Sequence, residues 1–141
     1  ENKVVWKEMS QLPAFAYDES GVFCNDTARI LTGNHIKFLV GLFNTSFFYV
    51  TFSSYYSGGG LGGKGVRYKS EFMKEFPVPP ITDQNRPTVD KIENLLDEIL
   101  ALKKDDPTTD TGKQETQIDH LVYQLYDLND DEIATVEQSI Q

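Results

Sequence analysis

Cysteine is close to absent from this sequence. Cys24 is the only one, so no disulfide can close within the chain. Histidine is almost as scarce: His35 and His120 stand far apart and, with a single cysteine, leave no zinc-ligand spacing. Nor is there a Ser/His/Asp or Cys/His arrangement for nucleophilic catalysis, so no catalytic, metal-binding or cofactor-binding residue is assigned. Cys24 sits in the apolar run GVFCND, where a packed strand thiol is a simpler reading than a reactive one. A chain without disulfides suits a reducing, cytoplasmic setting. No apolar stretch approaches the roughly 20 residues that a membrane span needs, and neither a basic leader nor an initiator methionine stands at Glu1. The chain reads as a soluble piece of a longer protein with no membrane partner.

Glycine is present but unevenly placed, with five of the ten falling in residues 58–63 and Lys64 directly behind them. Gly58, Gly60 and Gly63 match a dinucleotide fingerprint, and Gly58, Gly63 and Lys64 match all but the last position of a phosphate-binding P-loop. The context argues against both. Gly65 stands where a P-loop needs a hydroxyl for magnesium. Only about a dozen residues separate the glycines from Phe76-Pro77, too few for a crossover helix and a further parallel strand.

Basic residues are outnumbered, and a formal charge of -9 at first argues against a nucleic-acid partner. The excess of acid is local, however. Residues 1–80 hold eight Lys/Arg against seven Asp/Glu, a net +1, whereas residues 81–141 hold five against fifteen, a net -10. Between Lys64 and Lys74 the cations Lys64, Arg67, Lys69 and Lys74 face Glu71 alone, with Tyr55, Tyr56 and Tyr68 interleaved. Glycines let a backbone approach a surface closely, cations meet phosphates or guanine edges, and tyrosines stack or donate. That combination suits a nucleic-acid contact loop. The plainer alternative is a solvated surface loop in which Arg67 pairs with Glu71 and the tyrosines are core.

The chain is 39% hydrophobic and 12% aromatic, ample for one core and short for two domains. KVVWKE (3–8) predicts a short strand. PAFAYDESGVFCND (13–26) predicts a hairpin turning at Asp18 to Gly21, with Gly21 taking a positive φ. The apolar spacing of residues 34–52 predicts one buried helix, capped by Thr32 or Asn34, whose β-branched and aromatic end could turn to strand. Pro77-Val78-Pro79-Pro80 ends any regular element. Val89, Ile92, Leu96 and Ile99 then mark a helix with Lys103 and Lys104 at its end. Polar residues 105–116 read as a linker, and residues 117–141 as a helical pair in which Asn129 and Glu132 form a capping box. The expected fold class is α+β. A small mixed β-sheet recognition core with a buried helix and a trailing helix would occupy residues 1–104, followed by the linker and the C-terminal helices.

Four stretches in this order resemble a known family. VVWKEMS...PAFAYDESGVFCNDTARILTG, HIKFLVGLFNTSFFYVTF, VRYKSEFMKEFPVPP running into KIENLLDEILALKK, and the closing IDHLVYQLYDLNDDEIATVE are similar to the TaqI-like C-terminal specificity domain of restriction-modification enzymes with adenine-specific DNA methyltransferase activity. The chain departs from that pattern at Phe43-Asn44-Thr45, where the family more usually shows Leu-Asn-Ser. The resemblance implies a target-recognition domain that reads double-stranded DNA. A separate upstream domain of the same polypeptide would bind S-adenosylmethionine and methylate a flipped adenine. No Asn/Asp-Pro-Pro-Tyr/Phe motif is present, the nearest being Asn85-Arg86-Pro87, so no activity is expected of this chain alone. On this reading Lys64, Lys69 and Lys74 contact phosphates and Arg67, with Tyr68 beside it, reads base edges. Asn25, Asp26 and Thr27 are secondary contacts at the hairpin end. A role for the acidic helical tail in subunit or domain assembly is the alternative.

Overall fold

The computed structural model describes residues 1–21, 28–56 and 65–140, and within them the fold is α+β. Its sheets are antiparallel throughout rather than mixed as expected. Strand β1 (Lys3–Lys7) lies between β3 (Ala16–Asp18) and β4 (Ala28–Thr32). Side chains alternate across a strand, and β1 turns Val4 and Trp6 into the core. After β3 the Asp18 carboxylate accepts the Ser20 N–H at 3.0 Å, and Gly21 takes φ 82° as expected. The returning arm of the predicted hairpin, Val22 to Cys24, lies outside the described residues. A second sheet is minimal: β2 (Met9–Ser10) pairs with β5 (Val66–Arg67).

The single buried helix expected over 34–52 is two helices, α1 (Ile36–Phe43) and α2 (Ser46–Tyr55), inclined at 73°. The break falls on Asn44-Thr45, whose side chains take over backbone bonding. Asn44 accepts the Phe15 N–H at 3.0 Å and donates to the carbonyls of Phe15 (2.8 Å) and Val40 (2.9 Å). Thr45 then caps α2, its Oγ1 accepting the Phe48 N–H at 3.2 Å and donating to the Leu42 carbonyl at 2.7 Å. Neither Thr32 nor Asn34 caps α1. That position is taken by His35 in a left-handed conformation (φ 58°), with Nδ1 3.6 Å from Glu93. The aromatic end stays helical to Tyr55, so the expected change to strand does not occur.

A short helix α3 (Ser70–Met73) precedes the proline run, which the Tyr126 hydroxyl holds by donating to the Pro77 carbonyl at 2.7 Å. Helix α4 (Arg86–Asp105) forms as expected, with Val89, Ile92 and Leu96 buried and Lys103 and Lys104 in its last turn. A Cβ at Gly41 would lie 2.8 Å from Ile92 Cγ2, so glycine permits the close approach of α1 to α4. Helix α5 (Gly112–Leu125) begins inside the stretch expected as linker, which leaves residues 106–111 as the connection. Helix α6 (Asp130–Ser139) carries the predicted capping box, with both Asn129–Glu132 bonds at 2.9 Å. One hydrophobic cluster runs from Val4 to Val136, so the C-terminal helices share the core of the strands. No single described helix is long and apolar enough to cross a membrane.

Candidate nucleic-acid interface

The strand pair β2–β5 presents the residues of interest. Met9 lies opposite Arg67 and Ser10 opposite Val66. The Tyr68 N–H continues the ladder to the Glu8 carbonyl at 2.6 Å, and the Tyr68 carbonyl accepts the Trp6 Nε1–H at 2.7 Å. Alternation along the segment follows directly. Val66 and Tyr68 are buried, while Arg67 and Lys69 are each partly exposed. Lys69 lies beyond the strand, at the cap of the helix that follows, so the two cations flank the buried Tyr68.

Tyr68 is a correction to the sequence reading. It is 1% exposed, with its ring stacked on Phe52 at 5.1 Å and edge-on to Phe15 at 5.3 Å, so it is a core residue with no surface to offer DNA. Burial pushes its phenol well above the usual range, and the hydroxyl has no hydrogen-bond partner among the described residues. What Tyr68 does is hold the strand, fixing its neighbours Arg67 and Lys69 through ring packing and two backbone bonds. Tyr56 is likewise drawn inward, 5.5 Å from the Phe76 ring, whereas Tyr55 is 81% exposed.

Among the described residues Arg67 and Lys74 have no ion-pair partner, and the Arg67–Glu71 pair does not form. Glu71 lies 3.9 Å from Lys69 instead, because the helix begins only at Ser70 and Arg67 is still strand. Lys69 Nζ also stands 5.6 Å from the Phe72 ring centre. Lys74 is exposed at the end of α3. Nearby, Glu8 is engaged by Arg29. Lys64, Asn25, Asp26 and Thr27 lie outside the described residues.

The structure adds Met9, half-exposed and directly across from Arg67, and the exposed Lys7 at the end of β1. Nothing in the linear sequence links residue 9 to residue 67. The only hint was an apolar methionine between the polar residues Glu8 and Ser10. Among the described residues no three His, Cys, Asp or Glu side chains converge as a metal site. No family model and no curated protein sequence matches this chain at a significant level.

Proposed function

We propose that the chain is a DNA sequence-recognition module, the specificity part of a restriction-modification enzyme, which directs an upstream adenine-specific methyltransferase domain to its site. One observation carries this reading: Arg67 and Lys69, both partly exposed, flank Tyr68, whose ring is locked into an aromatic core. A fixed base under two flexible cations supports recognition of a polyanion. A two-stranded ribbon also has a width that the DNA major groove admits. The resemblance in the order of sequence motifs points to the same partner, double-stranded DNA.

Each side chain then has a distinct task. The Arg67 guanidinium bridges the two guanine acceptors, O6 and N7, as a fork. Met9 beside it offers an apolar contact to a thymine methyl group. Lys69 and Lys74, with Lys64, neutralise phosphates and set orientation without reading sequence. The acidic helices face away from the duplex, and S-adenosylmethionine belongs to the upstream domain.

The test uses Arg67→Ala and Lys69→Ala in the full polypeptide, titrated with cognate and scrambled duplexes over a salt series. Loss of Arg67 costs about 1–3 kcal/mol on the cognate site and relaxes preference at one base pair. Loss of Lys69 weakens all sequences alike and shallows the log-log salt slope by about 0.9. Unchanged binding in both variants removes the strand from the interface and the proposal with it.

A further inference from the structure

Helices α1, α2, α4 and α5 enclose a groove of about 600 Å³ that remains open along one side. Its walls are mixed: Val40, Leu96 and Ile118 form an aliphatic base, Asn44, Thr45, Ser46 and Ser139 add polar groups, and Ile99, Leu12 (66% exposed) and Ile140 (46% exposed) are the more accessible aliphatic side chains. The charge in the groove is of one sign. Glu115 and Asp119 stand one turn apart on α5, and neither has a cationic partner among the described residues.

Asp119 is partly withdrawn from water, whereas Glu115 is exposed and accepts the Thr111 hydroxyl at 3.0 Å. Asp119 accepts the Ser46 N–H at 3.2 Å and the Ser46 hydroxyl at 3.1 Å, tying α5 to the start of α2. Burial nevertheless pushes its carboxyl above the usual range, and the charge of Glu115 adds to the effect. A partly sequestered carboxylate without a counter-charge is costly, and like charges four apart on a helix repel. Both penalties are relieved by the same event, the arrival of a cation in the groove.

We propose that this groove docks a peptide segment of a partner protein carrying a lysine or arginine between aliphatic residues. The stem and its neighbours lie along Val40, Leu96, Ile99 and Ile118, and the cationic head reaches Glu115 and Asp119. A volume of this size accommodates a few side chains. The open side and the exposed Leu12 and Ile140 suit a passing chain better than an enclosed small molecule. The inference does not rest on the proposed DNA recognition, whose residues carry the opposite charge.

The probe is the capped peptide acetyl-Leu-Leu-Lys-Leu-Ser-amide, titrated into the isotope-labelled chain while backbone amide shifts are followed. Shifts are expected at Ser46, Ile99, Ile118 and Asp119. Replacing the peptide lysine by norleucine weakens binding about ten-fold, between the exposed and fully desolvated limits for a charge pair. Glu115→Gln and Asp119→Asn each bring the lysine peptide toward the norleucine value. Leu12→Ser, which alters a mostly exposed side chain and leaves the fold intact, weakens both peptides alike. Absence of groove shifts at millimolar peptide overturns the proposal. So does equal binding of the lysine and norleucine peptides.

Discussion

Residues 1–80 fill most of their share of the core with rings, beside Val4, Ile36, Val40, Leu42, Val66 and Met73. Phe15, Phe43, Phe48, Phe52, Tyr68 and Phe76 form one aromatic set, with Phe48 touching all the others at centroid distances of 4.8–6.2 Å. The helices beyond them use aliphatic side chains for most of the same purpose: Val89, Ile92, Leu96, Ile118, Val122 and Val136, joined by one buried ring, Tyr123. Charge divides along the same line, +1 in the first region and -10 in the second. The difference shows what each region has to hold. A strand pair of two residues has too short a ladder to stay in register by itself. Large rigid rings with preferred mutual angles supply the missing definition, and Tyr68 transmits it to Arg67 and Lys69. Helices twenty and fourteen residues long make their own backbone bonds and need only a greasy stripe to pack.

The strongest way to break this comparison is to remove its central ring. Phe48→Ala is expected to cost about 3–5 kcal/mol in urea denaturation. Because the hydrophobic cluster is continuous, Trp6 fluorescence and helical ellipticity should report that loss as a single shared transition. Two separate transitions would show that rings and helices fold as independent units.

A second experiment sharpens the electrostatic contrast. In the strand region Asp18 is held well below the usual carboxylate range by Lys3, 2.7 Å away, and by Ser20. Its stabilising contribution is present above the unfolded value near 3.8 and is lost as pH falls through the folded value. Asp119 in the tail is shifted the opposite way by burial, so its contribution is full below about 3.8 and is lost as pH rises through its raised folded value. Asp119→Asn removes the second contribution alone. Moving from pH 4 to pH 7, the variant should gain stability relative to the parent chain. A difference that stays flat across that interval would mean the Asp119 carboxylate is not desolvated in solution.

The smallest effect is expected at Tyr68→Phe. The hydroxyl deleted is buried and has no hydrogen-bond partner among the described residues, so stability should be unchanged or rise by up to about 1 kcal/mol, with the proposed DNA preference intact. A selective loss of the proposed DNA binding without loss of stability would return Tyr68 to the candidate interface.

Much of the architecture was legible because its causes are local. Strand β1 shows in the alternation of Val4 and Trp6, helix α4 in its apolar spacing and terminal lysines, the last helix in the Asn129–Glu132 box, and the turn at Gly21 in the residue itself. The break between α1 and α2 was hidden. Asn44 and Thr45 end a run of good apolar spacing, yet Asn44 does so by bonding Phe15, 29 positions away. Start and stop of the supposed linker were blurred for a similar reason, since Gly112 opens α5 with no side-chain cap of its own at Thr111. At the candidate interface, the cations were visible from composition, whereas the inward turn of Tyr68 and the pairing of Met9 with Arg67 were not.

Composition and short-range pattern by themselves determined the α+β class, helix α4 and the capped last helix, the segregation of acid to the tail and the cluster of cations after the glycines. These follow from side-chain periodicity, turn chemistry and charge, which act within a few residues. Only the tertiary structure decided which of Arg67, Tyr68 and Lys69 faces outward, that Met9 joins them, and that Glu115 and Asp119 share a groove with Leu12 and Ile140. Those outcomes depend on strand register and helix packing between distant segments, where the burial of a ring on one side dictates the exposure of its neighbour on the other.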